Sequence, residues 1–114
     1  MDLKSGYPFW AVSNGLMQAF PRLASDHRCD VAVLGGGITG ALIADELASH
    51  GFDVAILEQR DIGWGSTAAS TALLQYEIDT HLVDLAKRHG EADAALAYRA
   101  CADAIDQLHA VASA

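Results

Sequence analysis

Two short apolar runs separated by a helical stretch dominate the middle of the chain. Val31-Ala32-Val33-Leu34 and Val54-Ala55-Ile56-Leu57 each set four hydrophobic residues in a row. Continuous runs, as opposed to strict alternation, predict strands buried on both faces of a parallel sheet. Between them Ile38, Leu42, Ile43 and Leu47 recur at three- and four-residue spacing, with Ala41, Ala44 and Ala48 filling between. That period predicts a helix over 38–50. Gly35, Gly36 and Gly37 stop the first run, and Gly51 stands where a left-handed helix C-cap belongs. Residues 30–58 therefore read as one β-α-β unit.

The flanks are less regular. Residues 1–29 read as an irregular leader: Gly6-Tyr7-Pro8-Phe9-Trp10 and Ser13-Asn14-Gly15 are turn-like, and Pro21 closes a short apolar run. Its apolar side chains, Phe9, Trp10, Leu16, Met17 and Phe20, are costly to leave in water and call for a surface to pack on, in this chain or another. Past the second strand, residues 59–71 turn small and polar. Gly63-Trp64-Gly65-Ser66-Thr67-Ala68-Ala69-Ser70-Thr71 is too long and glycine-rich for a simple turn and reads as a functional loop. Thr71 to Ile78 suits a short strand or an extended segment. Asp79 or Thr80 is placed to cap a helix that runs to about His89 and closes at Gly90. A last helix begins near Glu91 with an apolar stripe of Ala94, Ala97, Tyr98, Cys101, Ile105, Leu108 and Ala112. The helical segment thus covers 79–114, and no internal repeat is present.

Charge and composition narrow the function classes. The 114 residues hold 7 Lys+Arg against 15 Asp+Glu, a formal charge of −8. A chain this acidic, with no basic cluster, has no electrostatic footprint for nucleic acid or for an anionic membrane surface. No apolar stretch approaches the ~20 residues of a membrane helix, and the first residues lack the basic and apolar blocks of a signal peptide. These features predict a cytoplasmic protein. Cys29 and Cys101 form no C-x-x-C pair or disulfide framework, so reduced, buried thiols are expected. Five scattered histidines lack the spacing of a metal helix, and no metal site is expected.

The chemistry concentrates in Gly35-Gly36-Gly37-Ile38-Thr39-Gly40, a G-x-G-x-x-G that follows a predicted strand and opens a predicted helix, with Glu58 eighteen residues beyond its last glycine. Gly35 permits the tight strand-to-helix turn. Gly37 lets backbone approach a pyrophosphate, and Gly40 allows helix and strand to touch. The free N–H groups at the helix start, those of Ile38 and Thr39 included, face the phosphates with the positive end of the helix dipole. Glu58, ending the second strand, is placed to accept both hydroxyls of an adenosine ribose and to repel a 2′-phosphate, which disfavours NADP. FAD and NAD both present an ADP moiety to such a unit, and the motif does not separate them.

Asp30 through Gly40, then Glu58-Gln59-Arg60, then Gly63-Trp64-Gly65-Ser66-Thr67-Ala68-Ala69-Ser70, resemble the amino-terminal part of FAD-dependent oxidoreductases of the D-amino-acid oxidase, glycine oxidase and sarcosine oxidase superfamily. The likeness covers about residues 30–80. It implies FAD as cofactor, with the acid-x-Arg step and the small-residue loop on the adenosine and pyrophosphate side. Those roles fall on Glu58, Arg60, Ser66 and Thr67, with Gln59 between the first two and with Ala69 and Ser70 closer to the flavin. Trp64 lies beside a cofactor ring or simply covers an apolar edge, and the second reading is preferred. Tyr76, Glu77 and Asp79 have no partner base or nucleophile at a useful spacing, so catalytic residues stay unassigned. His81 and Asp84 read as ordinary surface pairing.

The expected architecture is α/β: a Rossmann-like β-α-β dinucleotide-binding unit followed by helices, an incomplete FAD/NAD(P)-binding domain. Members of the resembled family are several hundred residues long, so a missing carboxy-terminal region or a partner chain is expected to complete the sheet. Family membership implies oxidation of an amine, an amino acid or a related small molecule by hydride transfer to flavin. Two other readings stay open: an NAD-dependent dehydrogenase fragment, and a non-catalytic module completed by a partner chain.

Overall fold

A computed structural model describes residues 6–15 and 18–113. Leu16 and Met17, two of the leader's apolar residues, lie outside the described residues, as does the 1–5 segment. The chain divides into two units, Met1–Thr71 and Ala72–Ala114.

The first unit is a mixed α/β arrangement: helix α1 (Phe9–Asn14), strand β1 (Val31–Leu34), helix α2 (Ile38–Ser49) and strand β2 (Val54–Leu57). The two strands pair in parallel, Val31 opposite Val54 through Leu34 opposite Leu57. The ladder is pinned at both ends. Asp30 Oδ2 accepts the Asp53 N–H at 2.9 Å, and the Gly35 N–H donates to the Leu57 carbonyl at 2.8 Å. Helix α2 ends at Gly51, whose φ of 87° only glycine adopts without strain.

Along β1, only one sheet face is covered by the described residues. Val31 and Val33 are half-buried while Ala32 and Leu34 are exposed, Leu34 to 80%. The strand pattern that predicts burial on two faces thus meets cover on one along β1, because among the described residues α2 is the one helix that contacts both strands. The buried line of α2 also differs from its expected stripe. Leu42 and Leu47 of that stripe are half-buried, but Ile38 and Ile43 are about half exposed, and the most buried position is Ala44, at 6% exposure. At Gly40 the helix sits too close to the end of β1 for any side chain. The leader is not wholly irregular. Pro8, at φ −67°, presets the chain for α1, and its carbonyl accepts the N–H groups of Ala11 and Val12.

In the second unit, helices α3 (Leu82–His89) and α4 (Glu91–Ser113) pack on each other. Ala94 is fully buried; Ala97, Tyr98, Cys101, Ile105 and Leu108 are half-buried, and Ala112 is exposed. The N-cap of α3 is His81, not Asp79 or Thr80. The Thr80 carbonyl is taken instead by the Tyr98 hydroxyl at 2.8 Å, which ties the approach to α3 onto α4. Asp84 pairs with Lys87 at 2.9 Å, not with His81. Residues 71–78 form no strand; no described residue offers them a ladder, and Leu73, Leu74 and Tyr76 stand exposed. Cys29 and Cys101 are free and half-buried instead of buried. Among the described residues no helix is long and apolar enough to cross a membrane.

Candidate functional site

The turn from β1 into α2 is built by steric necessity. Gly35 has φ 107°, outside the range of L side chains. A Cβ at Gly40 would collide with the Gly35 carbonyl oxygen and press on Val33 Cγ1 at 3.3 Å, so the first turn of α2 lies directly on the strand's end. Gly37 differs from both: its φ of −78° and ψ of 179° suit any residue. A Cβ there would meet Thr67 Oγ1 at 3.2 Å and nothing else within 4 Å. The backbone at Gly37 therefore opens onto a cradle that a side chain would fill.

Gly36, the unassigned middle residue of the motif, is the one buried residue of this turn. A Cβ on it would strike Ile62 Cδ1 and approach Glu58 Cβ at 3.3 Å. Sequence reasoning missed both Gly36 and Ile62 as site-shaping residues. A third consecutive glycine, beyond the two that G-x-G demands there, was the available signal.

Glu58 joins β2 to this turn. Its Oε2 accepts the Gly36 N–H at 2.7 Å and its Oε1 the Arg60 N–H at 2.9 Å. The Gly36 N–H first, then the Arg60 N–H, lower the pKa of the carboxyl; partial burial opposes them, and the Arg60 charge and the Gln59 N–H assist. The side chain is thus ionised at neutral pH. A carboxylate offers about four lone-pair sites, so the two backbone bonds leave acceptor capacity on each oxygen for further donors.

A pH dependence follows from this shift. A folded-state pKa below the unfolded one makes a contribution to stability that is full above the unfolded value of about 4.3 and is lost as pH falls through the folded value. Glu58→Gln should therefore flatten the fall in unfolding midpoint between about pH 5 and about pH 3, as urea titrations across that range would show. Parallel wild-type and variant profiles would contradict the assignment.

The loop after Glu58 folds through successive turns: Ala68 N–H to the Gly63 carbonyl, Ala69 to Ser66, and Ser70 to Thr67. It is tied to the glycine turn at two points. The Gly63 N–H donates to the Gly36 carbonyl at 2.8 Å, and the Ile38 N–H, first in α2, donates to Thr67 Oγ1 at 3.0 Å. The Arg60 side chain reaches the same loop, where a Cβ on Gly65 would stand 3.4 Å from Nη2. The structure thus brings Gly35, Gly37, Ile38, Gly40, Glu58, Arg60 and Thr67 together. Thr39, Gln59, Ser66, Ala69 and Ser70 are exposed around them. Trp64 is half-buried and meets the Tyr7 ring edge-on, with centroids 6.3 Å apart. Among the described residues no three His, Cys, Asp or Glu side chains gather as a metal site would require.

Comparison with known proteins accords with this geometry. The family model described as FAD dependent oxidoreductase matches residues 30–114. The Bacillus subtilis protein YhfW, whose name describes a Rieske 2Fe-2S iron-sulfur protein, is 36% identical over 103 residues, 90% of this chain and 20% of that one. A match of that span reaches well into the leader. The γ-glutamylputrescine oxidoreductase of Escherichia coli is 36% identical over 78 residues, 67% of this chain and 18% of its own length. The glycine oxidase of Geobacillus kaustophilus is 41% identical over 64 residues, 53% of this chain and 17% of its own. The chain spans about a fifth of the length of these relatives, and no solved structure matches it significantly. On the match over 30–114, the chain belongs to the FAD-dependent oxidoreductase family.

Proposed function

We propose that the chain supplies the ADP-binding part of an FAD site, through a Rossmann-like β-α-β unit (30–58) and a cofactor loop (59–71), in an enzyme that oxidises an amine, an amino acid or a related small molecule. In sequence, the leader (1–29) precedes these segments and the helical segment (79–114) follows them. The observation that carries this reading is the ionised Glu58, held by two backbone N–H groups beside the open backbone of Gly37. Its spare lone pairs suit the two ribose hydroxyls of adenosine, each bond contributing about 1.5–3 kcal/mol. Thr39 and Gly40 lie in the first turn of α2, where N–H groups have no intrahelical acceptor, and they suit the pyrophosphate. Arg60 offers charge against the diphosphate, and Ser66 and Thr67 offer hydroxyls on the same side. Ala69 and Ser70 stand nearer the flavin. When bound, FAD would supply the hydride acceptor. The small-molecule substrate and any further region or partner chain that completes the site belong to the same reading, as does a cytoplasmic location, which rests on composition.

Absorbance and fluorescence scans of the purified chain with and without FAD, followed by denaturation to release bound cofactor, test this. Saturable quenching of FAD fluorescence, with no comparable response to NAD, is the expected result. Preferential binding of NAD would replace the reading with a dehydrogenase one.

A further inference from the structure

The leader has no place in the site as built so far, yet it touches the cofactor loop at two points. The Trp10 indole N–H donates to the Ser70 backbone carbonyl at 2.8 Å, across sixty residues of sequence. Tyr7, three residues earlier, sets its ring against Trp64, interplanar angle 69°. The two contacts fall near the beginning and end of the turn series that carries Ser66, Thr67 and Ala69. That series is held internally by short-range bonds and tied to the glycine turn at Gly63 and Thr67, which leaves its far end, at Ser70, to the leader. Helix α1 makes the arrangement possible. Pro8 starts it, and Phe9 braces Trp10 with an edge-on contact at 5.0 Å, so the indole is held with its donor toward the loop. Phe9 itself stays 69% exposed and Tyr7 80% exposed, so the leader is not a hydrophobic core segment.

We infer that the leader is a strap that positions the cofactor loop, with Trp10 as a positioning residue: it holds the loop in the form in which Thr67 takes the Ile38 N–H beside Gly37. The likeness to YhfW, which reaches into the leader, is consistent with a segment that serves the same loop in a longer protein. The consequence for cofactor affinity rests on the FAD reading above; the effect on the loop does not.

The test uses the full chain and Trp10→Phe, which keeps an aromatic ring and removes the donor, with Tyr7→Leu as a second variant and Val12→Ala, at an exposed position of α1, as a control. Amide hydrogen exchange is followed in the absence of FAD, and FAD affinity is then measured on the same samples. Trp10→Phe should raise exchange of the 64–70 amides about tenfold while those of β1 and α2 keep wild-type rates, and should weaken FAD binding several-fold. Tyr7→Leu should do the same to a smaller extent, and Val12→Ala should do neither. Unchanged loop exchange in Trp10→Phe would overturn the strap, as would an equal rise throughout β1 and α2, the mark of a general structural role. Loop exchange that rises while FAD affinity holds would overturn the link to the cofactor. Absence of FAD binding in the wild type would strike the proposed function alone, since the exchange readout needs no ligand.

Discussion

Gly37→Val should abolish FAD binding and leave the β-α-β unit folded. The two halves of that result come from different features of one residue. Backbone angles of −78° and 179° are ordinary for a β-branched residue, so the substitution introduces no backbone strain. Among the described residues a new Cβ approaches Thr67 Oγ1 alone, at 3.2 Å, a contact that a shift of a few tenths of an ångström relieves. The valine methyl groups instead fill the cradle between the loop and the start of α2, where the pyrophosphate is proposed to lie. A loss of at least about a hundredfold in affinity is expected, about 2.7 kcal/mol or more, with a near-wild-type unfolding midpoint. Gly37→Ala should fall between. Titration of FAD fluorescence on chains matched by circular dichroism decides the matter; equal curves for wild type and Gly37→Val would sink the site.

Gly40→Ala should do the reverse and damage the fold itself. Helix propensity alone predicts a gain of about 1 kcal/mol, because alanine replaces glycine inside α2. Contact geometry predicts the opposite sign. The added methyl falls on the Gly35 carbonyl oxygen, and Gly35 has little room to yield, since its N–H is held by the Leu57 carbonyl at 2.8 Å and its φ is already 107°. Overpacking against anchored backbone costs about 3 kcal/mol, which exceeds the propensity gain. Denaturant unfolding of the two chains reads the sign directly. A raised midpoint in Gly40→Ala would mean that α2 does not lie on the end of β1 as described.

Much of this was legible along the chain because it depends on local rules. Four consecutive apolar residues ended by glycines marked β1. The periodic run after them marked α2, and Gly51 and Gly90 marked helix ends at which positive φ is required. The spacing from Gly40 to Glu58 pointed to an acid near the glycine turn, since a β-α-β unit of this length returns β2 alongside β1. The misses share a different cause. α1 was hidden because aromatic residues and a proline look like turn signals until the proline is seen to start the helix. The stripe on α2 holds at Leu42 and Leu47 and fails at Ile38 and Ile43, because periodicity counts hydrophobicity, whereas the close approach of helix and strand at Gly40 selects for size.

The order of elements, the parallel pairing and the positions that must be glycine follow from side-chain size and backbone freedom, which each residue carries with it. Other features depend on which distant groups meet: the double backbone clasp on Glu58, the contest between Ile62 and any side chain at Gly36, and the bonds from Thr67 to Ile38 and from Trp10 to Ser70. Apart from the local Arg60–Glu58 bond, these hydrogen bonds are set by ångström-scale placement of groups 22 to 60 residues apart. Residue type and spacing alone do not encode that placement; it exists once the strands are paired and the loop has folded back.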